Sequence, residues 1–508
     1  MSLHRKRKTA LLAFGLMAGL GCHAWHEPQP MSAPPDSFRS AAKLPPTEAD
    51  SIRRTSAQTE ELPPPRDEGP VPINLPTALQ LANAQNPEIA LARERIREAL
   101  AQQDRASLLW LPNLELGSTW VRHDGQIQRA TGEVLNVSRS SLFVGGAPTL
   151  SLDLSEAFLA PLAARQITAA REAGSIGVTN DRLLDVALAY TDLLQTNVEL
   201  RINDDTLKNA RHLLQLMEGF ERVGKVAPPD VARARTEVHM RERERQEILG
   251  RITVHSARLS QLLYFSPETP LRPVEAALIP LELIPKNLPQ TELVAQALLN
   301  RPELTENRAI FEAAITRWRA SRLAPIAPTL RVGAQLGAFG GGPNDFFGNF
   351  GGRSDVTAQA IWQLRSLGLG DLAIQRERQS QFSQAAWRQQ AIQAAVASQV
   401  VAAYGLSSAR RAEIDIAQRA VLAARESFTL NEDRIRRAPE QGRPIELLQA
   451  IQALARASLD YLNVVADYNR AQFRLYHAIG RPPLCALEEA REIETKITTT
   501  PPSAKERE

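Results

Sequence analysis

Several stretches of this sequence have residue types and spacings that could do chemistry. Cys22 follows a basic segment, His4-Arg5-Lys6-Arg7-Lys8, and an apolar run from Ala10 to Leu20. That is the layout of an export signal, and the run is too short to cross a bilayer as a helix. Small residues lead into Gly21-Cys22, the position at which bacterial lipoproteins carry the cysteine that is acylated. Gly19 and Leu20 depart from the usual lipobox, and cleavage after Cys22-His23-Ala24 is the competing reading, in which Cys22 is discarded. Gly219-Phe220-Glu221-Arg222-Val223-Gly224-Lys225 has the spacing of a phosphate-binding loop. Val226 stands where magnesium needs a hydroxyl, and a helix rather than a strand precedes the loop, so a helix end is the better reading. The 8 histidines are scattered without metal-ligand spacing. Arg235 to Glu247 alternates charges, as a solvated helix face does. No nucleophile–base pair or carboxylate pair stands out, so neither enzyme activity nor a cofactor is expected.

The elements that carry these residues are set by composition and period. The chain has 508 residues, 43% hydrophobic and 23% charged, which excludes wholesale disorder. Lys+Arg 60 against Asp+Glu 57 is too balanced for a dedicated nucleic-acid binder. Two cysteines, Cys22 and Cys485, exclude a disulfide framework. Past the signal, no apolar run reaches the roughly 20 residues of a membrane-spanning helix, so any span must be built from strands. Residues 28–72 are rich in proline, serine, threonine and charge and read as a tether, and the polar tail after Cys485 reads as disordered.

The body between them repeats. Asn74-Leu75-Pro76 recurs as Asn287-Leu288-Pro289, Asn86-Pro87-Glu88 as Arg301-Pro302-Glu303, and Pro112 to Gly117 as Pro328 to Gly333. Val186 to Tyr190 is echoed by Val400 to Tyr404, and Gly224 and Asp230 by Gly442 and Glu446. The offsets stay between 213 and 218, which argues for one duplication. The expected layout is a signal over 1–21, a tether over 22–73, repeats over 74–285 and 286–484, and a tail over 485–508.

Each repeat reads helix, strand, strand, very long helix, helix. Asn86 and Pro87 open a helix to about Leu109. Strict alternation follows, with Leu114, Leu116, Ser118 and Trp120 opposite Asn113, Glu115, Gly117 and Thr119, then Leu150, Leu152 and Leu154 opposite Thr149, Ser151 and Asp153. In the second half Leu330, Val332, Ala334 and Leu336 oppose Arg331, Gly333 and Gln335, and Val356 to Trp362 alternate likewise. A period of two demands strands with one apolar and one wet face. From about Ala157 to Arg222, with Pro161 in its first turn, and again from about Leu369 to Arg437, the pattern is helical for some 65 residues, rods of roughly 100 Å. Leu183, Val186, Tyr190, Leu193, Asn197, Leu200, Asp204 and Leu207 mark a coiled-coil seam. Each rod ends at a Gly/Pro break before a return helix.

Four such strands cannot close a barrel, and open edges are not tolerated in lipid. Apolar outer and polar inner faces suit a lipid-facing barrel around water, and three chains would supply twelve strands. The opening at Ala78 to Glu88, the strand entry at Leu111 to Gly117, the word at Val186 to Tyr190 and the return at Gly224 to Val231 resemble the TolC-like outer-membrane efflux protein family, over Leu75 to about Pro483. That resemblance implies a mainly α fold with a small β part. In it an α-helical barrel is capped by a 12-stranded β-barrel as a homotrimer in outer-membrane lipid, docked by a periplasmic adaptor and an inner-membrane pump. It places Arg222, Gly224, Lys225 and Asp230 at one periplasmic tip and Arg436, Arg437, Gly442, Arg443 and Glu446 at the other, as candidates for gating or adaptor contact. Capping by Asp230 and Glu446 is the plainer role for those two. A soluble periplasmic coiled-coil scaffold or adaptor is the competing function, and the four two-faced strands argue against it.

Overall fold

The computed structural model describes residues 69–266, 268–344, 348–437 and 444–482; the expected signal, the lipidation candidate Cys22, most of the tether, the tail, Gly442, Arg443 and the side chain of Arg437 lie outside them. Among the described residues eight helices and six strands form, and the fold is mainly helical.

Each half opens with two helices where one was expected. Helix α1 (Leu75–Gln85) starts at Asn74, whose side chain accepts from the Thr77 amide at 2.9 Å, and α2 (Pro87–Ser107) follows after Asn86. Asn86 sits at ψ 121°, because a residue before proline is driven out of the helical region. Its Oδ1 caps α2 by accepting from the Glu88 amide at 2.9 Å, while its Nδ2 donates to the Leu262 carbonyl at 3.2 Å. The second half repeats the break at Arg301, at ψ 123°, between α5 (Gln290–Asn300) and α6 (Pro302–Leu323). There Arg301 Nη1 donates to the His477 carbonyl at 3.2 Å.

The strands run further than their alternation suggested. Strand β2 (Asn113–Gln128) and β3 (Val134–Asp153) form one long hairpin, and β5 (Thr329–Pro343) and β6 (Gly351–Ile361) a shorter one. They make one antiparallel sheet in the order β2-β3-β5-β6. A separate parallel pair, β1 (Val71–Ile73) with β4 (Leu271–Pro273), was not anticipated, and it moves residues 71–73 from the tether into the body.

The rods are as long as expected. Helix α3 (Leu154–Arg222) and α7 (Leu369–Arg437) have 69 residues each, and the return helices α4 (Pro228–Leu262) and α8 (Pro444–Ala478) have 35 each. Asp153 caps α3 by accepting from the Ser155 and Glu156 amides at 3.0 and 3.1 Å, so Pro161 lies inside the helix rather than in its first turn. Leu183, Val186, Tyr190 and Leu193 are buried as a seam, but Asn197, Leu200 and Asp204 are only half-buried; the buried stripe passes instead to Asn203, Thr206 and Leu207. A 3.6-residue helix drifts away from a strict heptad in this way.

The upper core packs Ala78, Leu79 and Ala82 of α1 against Leu183 to Leu194 of α3, Leu259 of α4 with Leu263 just past its end, and Phe473 of α8. Tyr190 there donates to the Ile73 carbonyl and to the Glu275 carboxylate; burial, reinforced by that carboxylate, holds its phenol far above the usual range. The segment joining the halves is held by two buried amides of α8. Asn469 accepts from the Leu281 amide and donates to the Ile279 carbonyl, both at 2.8 Å, and Gln472 accepts from the Leu283 and Ile284 amides at 3.1 and 3.2 Å.

Candidate functional site: a two-faced sheet and two helical tips

The register places every even-numbered residue of β2, β3, β5 and β6 on one face and every odd-numbered residue on the other. The even face gathers Leu114, Leu116 and Trp120; Leu142, Val144, Leu150 and Leu152; Leu330, Val332 and Leu336; and Val356, Ala358 and Ala360. The odd face gathers Glu115, Thr119, Thr149, Ser151, Arg331, Gln335, Arg353, Asp355, Thr357 and Gln359. Leu114, Leu116, Trp120, Val332 and Val356 on this face are all exposed, Leu116 at 76% and Val356 at 72%, whereas apolar side chains gathered on one exposed face of a soluble sheet mark an interaction surface. From Leu142 to Leu152 the band runs roughly 33 Å along the strand, or roughly 25 Å along a membrane normal at the usual tilt. Beyond Trp120 the same face turns polar: Arg122 pairs with Asp124 at 2.6 Å, and Ser138 reaches Asp124 at 2.5 Å.

Two aromatics interrupt the wet face. Phe143 lies directly opposite Phe339 across β3 and β5. The ring of Phe143 is laid over Gly145 and Gly337, where an added Cβ would stand 2.9 and 3.0 Å from it. The Arg353 guanidinium sits 5.0 Å over the Phe339 ring. In the connection between β5 and β6, the Phe350 ring covers Gly340; Phe346 and Phe347 lie outside the described residues. Trp110 stacks edge-on against Phe158 at 4.9 Å, and Trp362 donates to the Ile326 carbonyl at 3.1 Å, so both sit where strands meet helices.

At the far end, Gly224 at φ +73° lets α3 stop. Its amide donates to the Glu221 carbonyl and the Lys225 amide to that of Phe220, both at 2.9 Å, a helix-ending turn and no phosphate cradle. Arg222 donates back to the Glu218 carbonyl at 3.2 Å. Asp230 and Glu446 are each the third residue of their return helices, where a carboxylate meets the positive helix end. Asp230 pairs with Arg233 at 2.9 Å in its own helix, whereas Glu446 reaches across to Arg434 of α7 at 3.1 Å. Arg436 is occupied by Glu432, one turn earlier, at 2.7 Å. Arg434 was missed because only the fold reveals that it, and not Arg436, reaches α8.

The two tips are brought together. Leu213, Met217, Val231 and Ala234 pack with Ile435, Leu447, Leu448 and Ile451, and Gln452 donates to Glu237 at 2.6 Å. The charge run on α4 forms pairs along its own helix, Arg241 with Glu237 and Glu244 at 2.7 Å, and across to α3, Arg245 with Asp204 at 2.8 Å and Arg235 with Glu218 at 3.2 Å. An open groove of about 1220 Å³ beside it is lined by both signs of charge, with Arg211 paired to Glu242 at 2.7 Å, Arg245 to Asp204 and Arg436 to Glu432, and with Lys208 and Arg243 beside them. Among the described residues no group of three His, Cys, Asp or Glu could hold a metal ion.

No protein-family model and no curated protein sequence matches this chain. Solved structures do. The outer-membrane channel OprN superposes at TM-score 0.69 with 18% identity, over 80% of this chain and 89% of its own. The outer-membrane protein VceC of Vibrio cholerae gives 0.67 at 16% identity, over 80% and 96%. The Campylobacter jejuni CmeC outer-membrane channel gives 0.69 at 15%, over 89% and 97%. The chain therefore has the TolC-like outer-membrane channel fold.

Proposed function

We propose that this protein is the outer-membrane exit duct of a tripartite efflux or secretion system. In that role it is a passive homotrimeric channel through the outer membrane and periplasm. The observation that carries this reading is the sheet: one face apolar over membrane height, the other polar, with β2 and β6 left unpaired at its two edges among the described residues. In water that apolar band would be a liability, and in lipid those edges would be intolerable. Pairing β6 of one copy with β2 of the next meets both conditions at once, and three copies give twelve strands around water.

The helices support the same closure. Helix α3 packs on both α2 and α6, while α7 packs on α6 and, among the described residues, has no second neighbour equivalent to α2. A neighbouring copy's α2 fits that place. The charged groove near Arg436 and the paired tips then form the periplasmic end, where an adaptor bridging to an inner-membrane pump docks. The solved structures that share this fold are described as outer-membrane channels, which supports the outer-membrane part of this reading. A soluble periplasmic scaffold would share the rods but has no use for the two-faced sheet.

The test is fractionation with native mass measurement. The protein should be recovered from outer membranes, require detergent, and run as a trimer that conducts ions in planar bilayers. A stable monomer free of detergent would overturn the reading.

A further inference from the structure

The passage from β6 into α7 differs from its counterpart. In the first half β3 runs straight into α3 through Asp153. In the second half residues 362–368 intervene, and Ser366, Leu367 and Gly368 take left-handed backbone at φ 50°, 60° and 87°. Glycine adopts that region freely; a leucine does so at a cost, and such strain persists only where its surroundings impose it. Here they do. The buried Asp371 carboxylate accepts from the Arg365 amide at 2.9 Å and faces the Arg365 guanidinium at 3.5 Å. Gly370 comes so close that an added Cβ would meet the Arg365 carbonyl at 2.9 Å.

What this strained turn presents is an apolar side chain with nothing to touch. Leu367 is 95% exposed, and Trp362, Leu364 and Leu369 are exposed beside it. Asp371 holds the backbone of the turn, but among the described residues no packing on the Leu367 side chain offsets the strain. At the opposite edge of the sheet a second exposed cluster, Leu108, Leu109, Trp110 and Leu111, leads into β2.

The topology says what would cover both. Strands β2 and β6 are the sheet's two edges and run in opposite directions. An edge-to-edge joint between copies is therefore antiparallel, like the internal joint of β3 with β5, where the strand ends Asp153 and Thr329 lie opposite one another. The same joint sets Ile361 near Asn113 of the next copy. The residues just past Ile361 then meet the residues just before Asn113: Leu364 and Leu367 on one side, Leu109 and Leu111 on the other.

We propose that the left-handed Leu367 turn is an apolar latch between protomers, seated on the Leu108–Leu111 turn of a second copy of this chain. The latch rests on the trimeric assembly proposed above and adds the residues that lock it. Lipid is the other occupant available to these leucines, but lipid contact asks for no strained backbone.

The experiment uses the full chain in two forms. In the first, Leu367→Cys is combined with Leu111→Cys and treated with a bismaleimide; the parent protein, carrying only Cys22 and Cys485, sets the background. Covalent dimers and trimers above that background are expected, and neither single substitution should give them. In the second form, Leu367→Gly relieves the backbone but removes the side chain. If Leu367 were unpartnered, the trimer would be as stable or more so; as a latch, its loss should speed trimer dissociation about tenfold or more. A trimer that fails to cross-link, or a Leu367→Gly trimer as stable as the parent, overturns the latch alone and leaves these leucines to lipid. A protein that never forms trimers overturns the assembly and the latch together.

Discussion

Arg470 grips Asp192 with two nitrogens, Nη2 at 2.6 Å and Nε at 2.9 Å, and so fastens the last helix to the first long helix 278 residues away. The pair is half-buried, so neither partner recovers full hydration if the other is removed. Arg470→Met should cost about 1.5–3 kcal/mol, the range for a hydrogen bond to a charged group, read as a lower unfolding temperature in detergent. Adding Asp192→Asn should restore part of the loss, since it removes the orphaned charge. Strictly additive losses would show that the two side chains do not act as a pair.

The joint between the hairpins depends on absent side chains. A Cβ on Gly337 would stand 2.3 Å from the Val144 carbonyl and 2.7 Å from the Gly145 Cα, both backbone atoms that cannot step aside. Gly337→Ala should therefore strip the protein of its assembled, heat-resistant form. Gly117→Ala, with open space around it, should not. Equal assembly of the two variants on a semi-native gel would refute the close approach of β3 and β5.

At the second tip the pair that crosses between helices is Arg434–Glu446, while Arg436 is engaged inside its own helix. Exposed pairs of this kind contribute about 0.2–1 kcal/mol. Arg434→Ala should raise amide exchange over 431–437 and 444–448 by no more than about fivefold, and Arg436→Ala should change it less. In planar bilayers Arg434→Ala should also raise single-channel conductance if the tips form the gate. Conductance equal to the parent, in a variant that remains trimeric, would leave Arg434 as a structural tie only.

Glu306 on α6 lies against Gly174 of α3, and burial lifts its carboxyl above the usual range while Arg171 offsets part of the rise. The folded state thus holds this proton more tightly than the unfolded chain. Stability contributed at this site is complete in acid and declines as pH rises through the raised value. Glu306→Gln should melt at a higher temperature than the parent at pH 7, with the difference vanishing below about pH 4. A variant less stable at pH 7 would mean that the Arg171 attraction outweighs burial.

Cys22 has a chemical test. Cys22→Ser should abolish incorporation of labelled fatty acid and alter processing of the precursor. Outer-membrane insertion should survive, because the proposed barrel supplies its own anchor. Label retained in the variant would place acylation at another residue and overturn the lipidation of Cys22.

Periodicity was enough to read a mainly helical fold with a small sheet part in the sequence. A strict period of two over Asn113 to Trp120 leaves a strand as the sole option, and the same words some 215 residues later require a second one. Helical runs of about 65 residues with few glycines could only be rods. Signals of this type survive because they depend on many residues each contributing a little, so no single neighbour can override them.

What the tertiary structure decided are the features that hinge on one residue meeting one distant partner. The split at Asn86 and Arg301 is a local proline effect, but its purpose, reaching the carbonyls of Leu262 and His477, needs the return helices in place. The pairing of Val71–Ile73 with Leu271–Pro273 joins segments too short to carry any period. Among the arginines at the second tip, charge alone could not choose Arg434 over Arg436, because the choice is made by where α8 begins in space. The Ser366–Leu367 turn was invisible for a further reason. Left-handed backbone at a leucine contradicts local preference, and only the buried Asp371 carboxylate, holding the Arg365 amide, imposes it.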